Sequence, residues 1–184
     1  MGRLTVSRRS AQITLVAVQR STSHATPALV ADVLHRCEVW TLLECHAVRR
    51  IALAPSRDLR PVRAVFPELN QQVIAPSQLA AWQRLERRVH HAIAELAGNP
   101  VLGAMVADVC DELERICTQH VPRPTHRPGT LWLLQSQHRK IVSCIEAGLA
   151  DEAVLHTRAH LHLIRDQLVA ALSASRPGTR PKNR

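Results

Sequence analysis

Along most of this chain apolar residues recur at intervals of three and four, the spacing that lines one face of an α-helix. The first such stretch opens at Pro27. "PALVADVLHRCEVWTLLECHAVRRIALA" puts Val30, Val33, Leu34, Cys37, Val48 and Ile51 on a helical stripe, and Ala54-Pro55 closes it. Pro61 and Pro67 interrupt any long helix between 56 and 75. Ser77 then reads as an N-cap, and Trp82, Leu85, Val89, Ile93 and Leu96 define one face up to the stop signal Gly98-Asn99-Pro100.

A further helix starts at Pro100 and carries Leu102, Met105, Val109, Leu113 and Ile116 to about His120. Beyond the proline-rich loop "VPRPTHRPGT" come two more, over roughly 130–147 with a stop at Gly148, and from about Asp151 to Leu172. Residues 1–26 break the pattern. They are irregular, with one alternating run, "QITLVAV", that reads as a strand or a wing-like hairpin arm. The stretch 173–184 reads as a basic, disordered tail. The pattern predicts an all-α fold: an antiparallel bundle of about six helices spanning 27–172.

Composition narrows the function. A chain of 184 residues holds one domain with tails, and 46% hydrophobic residues suffice for a core. Aromatics are scarce, with Phe66, three tryptophans and no tyrosine, which argues against modules that stack bases on aromatic platforms. The net charge of +9 is arginine-dominated and concentrated in "GRLTVSRR" and "SRPGTRPKNR". Such ends are either solvated or give a weak, salt-sensitive attraction to DNA that carries no sequence information.

Five cysteines, odd in number and without a CxxC pair, fit a reducing, cytoplasmic setting. Four fall in helical stretches as small buried hydrophobes, and Cys45 is harder to place. No apolar run reaches membrane length and no signal-peptide core opens the chain, so no membrane partner is expected.

The histidines change the picture. At 100° per residue, with Leu85 as zero, Glu86 falls at about 100° and His90 at about 140°, on the flank of the stripe, while His91 falls at about 240° and should face water. On the 130–147 helix, His138 sits amid Leu131, Leu134, Ile141, Val142 and Ile145. On the last helix Ala153, Leu161, Ile164, Leu168 and Ala171 mark the face; His160 lies on its edge, His156 further out, and His162 points away. Three helices thus each send one histidine inward, and one adds a carboxylate a turn earlier. A single inward histidine is usually a core residue. Several beside a carboxylate are costly to bury unless compensated, and a divalent metal between facing helices would compensate them.

These residues resemble the FCD domain, the C-terminal effector-sensing domain of FadR-type GntR transcription regulators. "ERRVHHAIAELAGNPVL" resembles the family's Asp-x-x-Phe-His helix running to Gly-Asn-Pro, with Glu86 in the Asp position and Val89 in the Phe position. "HRKIVSCIEAG", beginning at His138, resembles its His-x-x-Ile helix, and "RAHLHLIRDQL", with His160, its Ala-His-Leu element. The resemblance implies a bundle with a central metal and ligand cavity, in which Glu86, His90, His138 and His160 bind the ion. Zinc is the first expectation, with nickel or manganese as alternatives, and a small carboxylate effector completes the coordination.

Two departures bear on function. Trp40 stands where an arginine often helps hold the effector, so Trp40 and Arg36 are the candidate effector-binding residues. Family members also carry a winged helix-turn-helix before this domain, of which residues 1–26 would be at most a remnant. DNA binding is therefore expected only through such a domain, which this sequence appears not to include.

The leading expectation is a non-enzymatic, effector-sensing domain of a transcription regulator, acting as a homodimer. A metal-dependent hydrolase or isomerase on a helical bundle is the alternative, for which no HExxH motif supplies a base unless Glu86 does. A third reading is a truncated regulator acting only through dimerisation with a full-length one. His35, His46, His120 and His126 read as surface residues, and Trp82 and Trp132 as packed in or beside the core.

Overall fold

A computed structural model describes residues 25–66, 79–121 and 129–174. The possible wing in 1–26, Ser77, Pro67, His126 and most of the basic tail lie outside these residues, apart from Ala25 and Thr26 before the first helix and Ser173 and Ala174 at the end of the last. Among the described residues the protein is all-α, with six helices and no strand. They are α1 (Pro27–Leu53), α2 (Arg60–Arg63), α3 (Leu79–Leu96), α4 (Pro100–His120), α5 (Thr130–Glu146) and α6 (Ala150–Ala174).

Local chemistry sets the ends. Thr26 caps α1, its hydroxyl accepting from the Leu29 N–H at 3.2 Å, and Pro27 begins the first turn where no donor is missed. Asn99 does the same for α4, accepting from Val101 and Leu102 at 3.1 and 3.3 Å. The Gly98-Asn99-Pro100 stretch is therefore both the stop of α3 and the start of α4. Gly148, at φ +73°, turns α5 into α6 through the left-handed region that favours glycine. Pro61 does not exclude helix: it sits in the first turn of the short α2.

The longest seam is α1 against α6, with α5 on the other flank of α6 and α4 and α3 closing around α1. Two apolar clusters fill the interior. One gathers Val48, Ile51, Val62, Val89, Ile93, Ile141 and Ile145; the other gathers Val33, Cys37, Val106, Cys110, Leu113, Ile116, Leu161 and Leu172. Arg63–Glu146 and Arg49–Asp151 pairs tie neighbouring helices at the surface, where such pairs contribute little.

Some faces differ from the periodic reading. Leu34, Met105 and Trp132 are exposed, Trp132 at 66%, because no described helix covers that side of α1, α4 or α5. On α4 the buried stripe runs instead through Leu102, Val106, Cys110, Leu113 and Ile116. Cys45 is buried in α1, its thiol pointing to the Val154 carbonyl at 3.8 Å, whereas Cys117 and Cys144 are only half-buried. His91 is half-buried too, with its Nε2 sealed and without a partner among the described residues, and burial pushes it down. No described helix is long and apolar enough to cross a membrane.

Candidate metal centre

Between these clusters the bundle buries a set of polar side chains. Glu86 and His90 lie one turn apart on α3, His138 is on α5 and His160 on α6. Their positions follow from the helical phase: each interrupts or flanks an apolar stripe that has no freedom to turn toward solvent. One ligand-capable atom from each lies within 4.8 Å of the others, and all four residues are buried. Glu86 Oε1 stands 3.2 Å from His160 Nε2 and 3.9 Å from His90 Nε2; Glu86 Oε2 is 3.6 Å from His138 Nδ1. The two Nε2 atoms of His90 and His160 are 3.4 Å apart.

The outer edges of two rings are already engaged. His90 Nδ1 lies 2.8 and 2.9 Å from the two oxygens of Glu44, on α1. A carboxylate can only accept, so the ring donates from Nδ1. Trp40, one turn before Glu44, donates its indole N–H to Glu44 Oε2 at 2.7 Å. On the other side, His160 Nδ1 lies 3.2 Å from Gln137 Oε1, an acceptor that places the proton on Nδ1 there as well. Both histidines therefore turn Nε2 inward, toward Glu86.

This arrangement is polar without being satisfied. Both oxygens of Glu86 and both ring nitrogens of His138 are sealed from solvent and have no hydrogen-bond partner among the described residues. Buried polar atoms are nearly always paired, and each orphan costs about 1–3 kcal/mol. The electrostatics show the same tension. Burial opposes charge on His90, yet Glu44 and then Glu86 push it up to about 10. Burial would raise Glu86, but His138, His160 and His90 reverse the sign and hold it well below the usual carboxylate range. Burial drives His138 well below its ordinary value despite Glu86. Three imidazole nitrogens and a carboxylate converging in this way fit a divalent cation, which would engage Glu86 and one nitrogen of His138.

The structure brings together Glu86, His90, His138 and His160. Trp40 reaches the centre only through Glu44 and through its ring, which meets His90 edge-on at 4.8 Å. Arg36 stands apart, one-third exposed, held by Asp32 at 2.8 Å and lying 3.7 Å from Glu112. Sequence reasoning assigned no role to Glu44 or Gln137. Glu44 had a signal: a carboxylate four residues from both Trp40 and Val48, in the middle of the buried face of α1. Gln137, beside a core histidine, had none.

Neither a curated protein nor a solved structure matches the chain. A family model for the FCD domain matches residues 35–163, more than two thirds of the sequence and all four residues of the centre. With the helical bundle, its buried glutamate–histidine cluster and that match together, the chain belongs to the FCD domain family, the effector-binding domains of GntR-type transcription regulators.

Proposed function

We propose that this domain senses a small organic acid at a divalent metal held by Glu86, His90, His138 and His160. The observation that carries the reading is the convergence of buried lone pairs on Glu86 and His138 that no donor among the described residues satisfies. Zinc suits three imidazoles and one carboxylate best, with nickel and manganese as alternatives. A bound cation would supply a fixed positive charge to attract and orient the carboxylate of an effector.

The chain's own residues would do the rest. Glu44 and Gln137 aim His90 and His160. Trp40 backs His90, and Arg36 would join anion recognition only by leaving Asp32 and Glu112. Effector binding would bias the packing of α1, α5 and α6, and a winged helix-turn-helix in the regulator would read out that bias in DNA binding, within a homodimer. The hydrolase reading needs a base outside the donor set. The two buried carboxylates among the described residues are already committed, Glu86 to the centre and Glu44 to His90 and Trp40.

Elemental analysis of the purified chain beside a His138→Ala variant tests this. About one equivalent of zinc, nickel or manganese in the parent and almost none in the variant is the expected result. The loaded protein should then gain thermal stability with mono-, di- or tricarboxylic acids. Folded protein that takes up no ion when offered all three would overturn the reading.

A further inference from the structure

All three inward histidines face Glu86, but among the described residues His90 alone meets a second buried carboxylate, at its outer nitrogen. Glu44 is fully sealed from solvent, and both its oxygens lie within 2.9 Å of His90 Nδ1. Its Oε2 also accepts from the Trp40 indole at 2.7 Å, so two N–H donors grip one carboxylate. Trp40 and Glu44 are one turn apart on α1, where side chains four residues apart are neighbours, so the helix itself fixes their relation. Trp40 is 5% exposed and also meets the His90 ring edge-on, at 75° between planes. By contrast, the outer nitrogen of His160 meets the neutral Gln137 at 3.2 Å, and the nitrogens of His138 have no hydrogen-bond partner among the described residues.

We propose that Glu44 is the positioning residue of the centre and that Trp40 in turn fixes Glu44, the pair together holding His90 with its proton on Nδ1 and its Nε2 free for the cation. The inference rests on the metal reading above. Its chemical logic is that a neutral imidazole offers one lone pair, and the partner of the other nitrogen decides which. With a carboxylate at Nδ1, the proton stays outside and the lone pair faces Glu86 and His160. Without it, the ring is free to place a proton among the ligand atoms, where it excludes the ion.

A carboxamide separates positioning from mere packing. In Glu44→Gln one oxygen and one NH2 group replace two acceptors. Whichever way the amide turns, either His90 Nδ1–H or Trp40 Nε1–H faces another donor. Adding Trp40→Phe removes one of those demands and lets the amide oxygen turn to His90. Zinc affinity, measured by competition with a chromogenic chelator, should fall about 10- to 100-fold in E44Q and recover most of that loss in W40F/E44Q. The ring 15N spectrum of His90 in zinc-loaded protein should show ligation through Nε2 with a protonated Nδ1 in the parent and double variant, and lose that signature in E44Q. Circular dichroism and urea unfolding of each variant accompany the titrations.

Zinc binding as tight in E44Q as in the parent, or no recovery in the double variant, would overturn the proposal and leave the metal reading standing. If both variants fail to fold, Glu44 serves the fold and not the ligand, and the proposal falls as well. A parent chain that binds no ion overturns the metal reading, and this proposal with it.

Discussion

Ile141 and His138 lie three residues apart on α5 and are equally hidden, at 0% and 2% exposure. Their surroundings differ in kind. Ile141 belongs to a cluster of mostly aliphatic side chains that ask only for contact. His138 sits with two nitrogens that have no hydrogen-bond partner among the described residues. Burial is therefore not a measure of contribution: the apolar cluster asks for contact alone, while the polar centre leaves buried atoms unpaired among the described residues.

That contrast can be broken at either end. Ile141→Ala should cost about 2–5 kcal/mol of unfolding free energy, the same with and without zinc, because the cavity lies in the apolar cluster. Urea unfolding in both conditions checks it. His138→Leu should act the other way on metal-free protein, raising stability by about 1–3 kcal/mol as two orphaned nitrogens vanish, while abolishing stabilisation by zinc. A metal-free His138→Leu protein less stable than the parent would show that the imidazole is satisfied after all, and the contrast would collapse.

Proton competition sharpens the contrast further. In the metal-free protein His90 is pushed up to about 10, so its extra proton stabilises the fold fully below its ordinary value near 6.5 and ceases to do so as pH rises through 10. Zinc must displace that proton. Its affinity should thus weaken about tenfold for each pH unit lowered below that point, a sign opposite to the proton's own effect on the empty fold. Chelator competition at several pH values reads this slope. Least disruptive should be Gly148→Ala, outside both regions. A Cβ there would be strained at φ +73° and would meet Arg57 Nη2 at 3.1 Å. Urea unfolding should register a loss of about 1 kcal/mol, with zinc affinity unchanged.

The parts legible in the sequence were those governed by a single helix. The phase of α3, α5 and α6 sufficed to aim His90, His138 and His160 inward, since periodicity records which face of a helix is apolar. It does not record what lies opposite. Met105 sits at an apolar position of the pattern and Trp132 reads as packed in or beside the core, yet both face sides that no described helix covers. Glu44 went unassigned for the converse reason: a carboxylate in an apolar stripe makes sense only once His90, 46 residues away, is seen beside it. His91, adjacent to His90 and expected in water, is half-enclosed by neighbours that its own helix cannot reveal.

The wide separation of the four side chains along the chain has a consequence for the order of events during synthesis. His90 and His160 are 70 residues apart, and three different helices must dock before the four side chains meet. A nascent chain that has released α1 through α5 holds only part of the set. The cluster therefore cannot be complete before α6 has been made and docked.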